Sequence, residues 1–436
     1  MSLQGMSIIA ENPTTIVDLP VQNDIIDIES RQFKNFFKGE NKLIEKALID
    51  HINEVDHEEC EPGDEDSFFV CDLNQVYKSV QLWKQQLPRV QAHYAVKCNT
   101  NMKVVEFLAD KGVNFDCASK NEIDAVLQLG VAAERIVYAN PCKTNSFIRH
   151  ARDNQVNLTT VDNVNELVKL SKFHPECGIL VRIITDDESS QCRLSTKFGC
   201  SVETAVKEIL PTAKNLGLPV VGVAFHVGSG AKDFQAIYQA IRDSRIVFDY
   251  GIDLGFKMKI LDIGGGFEFD TFVESSKMVN VSIDKFFPDL FVKENGISFI
   301  AEPGRFMVAN AFTLATHVIA KRDINGSAKA MLYINDGVYG NLNCILFDHQ
   351  EPTARILKSG GQFHYGEKDQ RRFEYSIWGP TCDGLDCVSA SSHLNCNVAV
   401  GDWLYFPNLG AYTSCAKTQF NGFKNDTEVI YIPVQE

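Results

Sequence analysis

Several residues able to do chemistry stand where short apolar runs end. Lys97 closes HYAVK, directly after Ala95 and Val96. A lysine there is most often a solvated strand-end charge. In a partly desolvated site its pKa falls and its amine can condense with a carbonyl. Glu302 follows the apolar run ISFIA, and a carboxylate so placed needs a cationic partner. Gly264, Gly265 and Gly266 follow LDI. Consecutive glycines let backbone N–H groups approach an anion, although a bare turn has the same spelling. Arg305 follows Pro303 and Gly304 in AEPGR and offers a charge-assisted bond to such an anion. His226 opens HVGSG, where Ser229 adds a hydroxyl. A lone histidine is usually structural, but this ring could cover a flat ligand. A condensing amine, an anion cradle and a carboxylate able to keep a ring nitrogen protonated are what pyridoxal phosphate requires. A flavin or a sugar phosphate would use the same glycines, yet neither needs Lys97 or Glu302.

The elements that must bring these residues together are visible as eight β-rich runs. They are HYAVK, VNFDCA, RIVYA, NLTTVD, GILVRII, VVGVAFHV, KILDIGGG and GISFIAEPG. Helix-length amphipathic segments separate them; in one, Phe234, Ile237, Tyr238, Ile241 and Phe248 share a face. Eight such units predict a parallel (β/α)8 barrel of the TIM type. A doubly wound open sheet is the structural alternative. Lys97, Asp116, Asn140, Asp162, Arg182, His226, Gly264 to Gly266 and Glu302 all fall at the C-terminal ends of their runs. In a barrel that face carries the active site, so residues dispersed in sequence should meet in space. The triple glycine follows the seventh run and AEPGR the eighth, where barrels commonly bind phosphate.

From about residue 311 the pattern changes to strands joined by Gly, Pro and Asn turns: AMLYIND, YSIWGP, VAVGDWLYFP and EVIYIPV. We therefore expect an irregular leader over 1–34 and a segment over 35–71 that joins a β domain. The barrel should span 72–310 and the C-terminal β domain 311–436. A helix is expected near 40–52, and FFVCDL should add a strand to the β domain. Residues 54–66 hold eight acids in thirteen positions and read as a solvated loop.

Composition excludes other classes. The net charge of −15 would repel a nucleic-acid backbone. No window is apolar enough to span a membrane, and the start MSLQGMSIIAENPTT lacks the basic and apolar regions of a signal peptide. Thirteen cysteines occur without a C-x-x-C pair, so neither a disulfide framework nor a structural zinc site is indicated, and no metal site is expected. Reduced thiols in a cytoplasmic protein are the natural reading.

One cluster stays ambiguous on its own: GPTCDGLDC, with Cys382, Asp383, Asp386 and Cys387 in nine residues. It is resolved by a resemblance. YAVKCN, FDCASKNEID, RIVYANPCK, CRLSTKFG, FHVGSG, DIGGGF, AEPGR, NDGVYGNLNCILFDH, WGPTCDGLDC and GAYT occur in one order over residues 68–436. With them the chain resembles the eukaryotic ornithine decarboxylases, of the alanine-racemase-like group IV pyridoxal-phosphate enzymes, and within them the fungal branch. The resemblance implies a homodimer with active sites shared across its interface. It gives Lys97 the cofactor, His226 a place on the ring, and Glu302 the ring nitrogen. Ser229, Gly264 to Gly266, Pro303, Gly304, Arg305 and Tyr412 would hold the phosphate, with Asp116, Glu122 and Arg182 in support. Phe347, Asp348 and Asp383 would receive the distal end of L-ornithine, and Cys382, from the neighbouring subunit, would supply a proton on the way to putrescine. Gly384 would permit the turn, leaving Asp386 and Cys387 structural. The resemblance also suggests antizyme as a partner through residues 145–168. Lysine or another basic amino acid as substrate, or an inactive antizyme-sequestering homologue, are the alternatives. Two departures are notable: the glycine loop continues as GGGFEFD, and the animal-type C-terminal degradation tail is missing.

Overall fold

Eight parallel strands close into a barrel in strict chain order: β2 (Val90–Ala95), β3 (Asn114–Cys117), β4 (Ile136–Tyr138), β5 (Leu158–Val161), β6 (Gly178–Arg182), β7 (Val220–Ala224), β8 (Ile260–Asp262) and β9 (Ser298–Ala301). β9 pairs back onto β2, with Phe299 beside Val90, Ile300 beside Gln91 and Ala301 beside Ala92, which excludes the open doubly wound sheet. The computed structural model describes residues 41–434 apart from 186–187, 189, 192, 230–233, 325–328, 368–371 and 425. The leader expected over 1–34 lies outside the described residues.

The strands are near-continuous apolar runs because both their faces are covered, by helices outside and by side chains inside. Helices begin where polar side chains cap them. Ser119, Thr144, Asn163 and Ser201 each accept a backbone N–H of the first helical turn, satisfying donors that the helix itself cannot. The barrel is entered by a helix. β1 (Phe68–Asp72) ends in Asp72, which caps helix α2 (Leu73–Gln86) by accepting from Asn74. Trp83 of α2 packs against Phe267, Phe272 and Phe306. α2 thus covers the barrel wall beside β9, where only the short helix Arg305–Val308 follows the last strand.

The remaining strands form a second layer. β10 (Phe312–Asp323), β11 (Ala330–Ile334), β12 (Arg355–Ser359), β13 (Gln362–Phe363), β14 (Phe373–Trp378), β15 (Cys387–Leu394) and β16 (Trp403–Phe406) pair in the order 13-12-16-10-11-14-15. β1 adds to β10, and β17 (Glu428–Ile432) runs parallel to β1. FFVCDL therefore does lie in this sheet. Sequence reading missed β10, β12, β13 and β15. The long β10 turns polar toward its end, and the sheet's outer strands alternate too weakly to show. Helix α1 (Asn41–Glu54) lays Ile44, Leu48 and Ile52 against Phe68, Leu357 and Trp403 of this sheet. Residues 55–66 form turns with mostly exposed side chains. No helix among the described residues is long and apolar enough to cross a membrane.

Candidate active site

The first barrel strand stops at Ala95, earlier than HYAVK suggested. Val96–Cys98 form a single 3-10 turn, so Lys97 projects from a bend at the barrel mouth and not from the strand. The side chain is 39% exposed, open to the mouth, and its amine pairs with the fully buried Asp116 of β3. The expected fall in the Lys97 pKa is overturned. Desolvation does pull it down, but the attraction of Asp116, then of Glu302, outweighs this, and the ammonium form is favoured.

Three carboxylates converge here. Asp116, Asp262 at the end of β8 and Glu302 just after β9 are all buried. Burial raises the pKa of each. For Glu302 the neighbouring charges of Asp262 and Asp116 add to it, and Asp262 is pushed up to about 7. Lys97 and Arg182 are the facing cations; Arg182 ends β6 and lies 5.2 Å from the Phe198 ring. Asp116 Oδ1 is buried with no hydrogen-bond partner among the described residues, while Asp262 faces the Glu302 carboxyl closely enough to share a hydrogen bond with it. Such a site favours bound protons and positive charge. Asp262 was overlooked in the sequence, although its position before the glycines, ending an apolar strand like Glu302, was a usable signal. Glu122 instead turns its carboxylate to the Ala118 N–H, 2.6 Å away, bracing the loop after β3.

The glycine loop is built for close approach. Gly264 (φ +65°) and Gly266 (φ +96°) are left-handed, and a Cβ on them would sit 2.1 Å from the Phe225 carbonyl and 2.4 Å from that of Gly228. A Cβ on Gly265 would meet both the Glu302 carbonyl and His226 Nε2 at 2.8 Å. The His226 ring therefore lies against Gly265, held by the Gly228 N–H donating to Nδ1. Pro303 accepts the Ala95 N–H, and Gly304 packs on Cys98, tying the eighth strand to the first.

Arg305 opens the short helix after β9. Its Nη2 donates to Ser229 Oγ at 3.2 Å and to both oxygens of Asp348 at 2.8 and 2.6 Å. Arg305 Nε is buried without a hydrogen bond among the described residues and pairs loosely with Glu268 Oε1 at 3.7 Å. The β domain completes this corner. Tyr412 lies 5.2 Å from the Arg305 guanidinium. It takes a left-handed φ of 54°, which costs a tyrosine about 1–3 kcal/mol, and its N–H is tied to the Cys98 carbonyl. Asn99 holds the Gly410 carbonyl alongside. The arrangement fits pyridoxal phosphate: a glycine cradle beside the Arg305 guanidinium suits the phosphate, and buried carboxyls that favour a bound proton suit a protonated ring nitrogen.

Three expected site residues stand apart. Phe347 is 60% exposed on the helix Cys344–Phe347. Cys382 is exposed, with its N–H on Asn421 Oδ1, while Asp383 accepts from Tyr339 Oη, all within the β domain. The loop is organised by Asp386, which accepts from Val338, from the Thr381 N–H and from the Thr381 hydroxyl. Gly384 is not required for the turn, since its φ is ordinary and a Cβ there would meet nothing. Gly337 and Gly379 are the constrained positions, because a Cβ on either would lie 2.2 Å from the Asp386 carboxylate.

The family model described as "pyridoxal-dependent decarboxylase, pyridoxal binding domain" matches residues 73–309. The chain is 60% identical to an ornithine decarboxylase of Candida albicans, over 90% of this chain and 89% of that one. It belongs to the ornithine decarboxylase family. A Saccharomyces cerevisiae ornithine decarboxylase is 47% identical over 99% of this chain and 98% of its own. The antizyme inhibitor 2 of Xenopus laevis is 44% identical over 88% and 85%. Among solved structures, a Paramecium bursaria Chlorella virus arginine decarboxylase bound to agmatine superposes with a TM-score of 0.80 at 35% identity, covering 88% of this chain and all of that one. For an ornithine decarboxylase family barrel, the buried carboxylates carry a measurable signature. Unfolded, Asp262 titrates near 3.8; folded, near 7. Between those values the native state binds more protons, so stability falls as pH rises. Cofactor-free protein should therefore melt at a lower temperature at about pH 8 than at about pH 6, and Asp262→Asn should flatten that slope. Equal slopes in thermal scans of the two proteins would dismiss the effect.

Proposed function

We propose that the chain decarboxylates L-ornithine to putrescine and CO2, using pyridoxal 5'-phosphate, as the first step of polyamine synthesis. The observation that carries the reading is Lys97 set against Asp116 and Glu302 at the barrel mouth, in a chain most of whose length matches ornithine decarboxylases. When bound, the cofactor supplies an electron sink for the electrons released as the carboxylate leaves.

The chain's own residues do the rest. Lys97 would hold the cofactor through its amine. Glu302 holds a proton at the ring nitrogen, and Asp262 strengthens that hold by raising the basicity of Glu302. His226 covers one face of the ring. Gly264, Gly265, Gly266, Ser229, Arg305 and Tyr412 hold the phosphate. Arg305, paired here with Asp348, would hold the phosphate, and Asp348 would then be available as a carboxylate for the distal ammonium. Asp383 is the second receptor for that ammonium. The Cys382 thiol delivers a proton to Cα. Cys382 and Asp383 sit on a β-domain loop held by β-domain residues, which supports a homodimer in which each loop serves the partner's barrel. The protein works in the cytoplasm. Helix Asn145–Asp153 and the strand after it form the segment by which an antizyme would bind.

An inactive decoy is disfavoured because Lys97, Glu302, Cys382 and Asp383 are all present. Selectivity is tested by turnover with ornithine and lysine in competition. One methylene in a pocket is worth roughly 1–3 kcal/mol, so kcat/KM should favour ornithine by about tenfold or more. Equal or reversed preference would move the assignment to lysine.

A further inference from the structure

Away from the barrel mouth, three potential metal ligands meet where the acidic loop lies on the β sheet. His57 and Glu65 come from the loop between α1 and β1, and His317 from the middle of β10. One ligand atom of each lies within 4.8 Å of the others. His57 Nδ1 is 2.6 Å from Glu65 Oε1, and His317 Nδ1 is 3.9 Å from the same oxygen.

His317 is the decisive residue. Its side chain is only 9% exposed, and neither buried ring nitrogen makes a well-formed hydrogen bond among the described residues, the Gly401 backbone being its nearest such neighbour. A buried imidazole so placed lacks the partner that buried polar groups almost always have. Its ring packs on Trp403 at 5.0 Å and on His57 at 5.3 Å, with interplanar angles of 28° and 26°, and the three rings form a triangle with His57 and Trp403 6.2 Å apart. These contacts hold the imidazole beside His57, with Nδ1 3.9 Å from Glu65 Oε1.

A supporting contact links the ligands further. Asn335 accepts the His317 backbone N–H through Oδ1 at 2.8 Å and donates to the Glu65 carbonyl through Nδ2 at 2.6 Å. One side chain thus ties the two ligand-bearing segments in register, the kind of outer contact that orients metal ligands. The lip of the site is open, since His57 and Glu65 are 31% and 37% exposed. The eight acids of residues 54–66 raise the local concentration of cations.

We propose that His57, Glu65 and His317 bind a divalent transition ion of the zinc type. Two imidazole nitrogens and one carboxylate oxygen are a borderline donor set, suited to zinc or cobalt and poor for calcium or magnesium. Three protein ligands leave a position for water at the exposed lip. The ion replaces the His57–Glu65 hydrogen bond, gives His317 Nδ1 its missing partner, and clamps the acidic loop to the sheet. Sequence inspection could not find the site, because its ligands come from distant segments without metal-site spacing.

Cobalt(II) is the probe. Chelator-washed holoenzyme dialysed against cobalt should take up one ion per chain, with visible d–d bands and no thiolate charge-transfer band. Affinity should fall at least tenfold in His57→Gln, Glu65→Gln and His317→Gln. Should the buried His317 variant fail to fold, the two lip variants carry the test. Unchanged affinity in both lip variants, thiolate charge transfer, or no cobalt uptake would each overturn the proposal.

Discussion

Lys97→Ala is expected to lose cofactor attachment and catalysis together. The purified variant should lack the visible absorbance of a lysine-bound cofactor. Borohydride should no longer fix cofactor on the peptide containing residue 97, and kcat should drop by about a thousandfold or more. The physical consequence reaches past chemistry. Asp116 is fully buried and would be left without the cation that pairs with it. Asp116, Asp262 and Glu302 would then crowd with only Arg182 to offset them, so the variant should be less stable, and more so at higher pH. Lys97→Arg separates the two effects: it keeps a cation beside Asp116 and so recovers stability, but cannot carry the cofactor. Borohydride labelling of any other lysine in the wild-type protein would remove Lys97 from its role.

Mixing two inactive variants is expected to restore activity. Lys97→Ala loses the barrel side of a site, and Cys382→Ala loses the proton donor, the latter costing about 10²–10⁴-fold in kcat. If each site joins one barrel to the partner's loop, a mixed dimer contains one site lacking both groups and one site that is whole. Random exchange of subunits should then return about a quarter of wild-type activity. The geometry motivates this experiment: Cys382 is exposed and tied to Asn421, and Asp383 to Tyr339, within their own β domain. No recovery after verified subunit exchange would place the whole site within one chain.

Much of the barrel was legible in the sequence for a simple reason. A parallel strand buried on both faces must be continuously apolar, so its polar terminus stands out. All eight runs became barrel strands. The same contrast exposed Lys97, His226, Glu302 and the glycines, and it should have exposed Asp262. The β domain was less legible because its register rests on distant partners; β1 pairs with β10 and β17 from the far end of the chain.

The sequence by itself determined the eight-unit barrel, its chemically active face and the chemistry those residue types permit, because local periodicity and composition are set by short-range physics. Only the tertiary structure decided the charge states and partners. Lys97 became a favoured ammonium because Asp116 and Glu302 are folded against it, and Arg305 met Asp348 across the two domains. Gly384 proved dispensable to its turn, while Gly337 and Gly379 must yield space to Asp386. His317 lost its hydrogen-bond partners only when β10 was buried beneath the acidic loop. Pairings and pKa values depend on desolvation and on contacts between residues far apart in the chain, and neither quantity exists until the chain has folded.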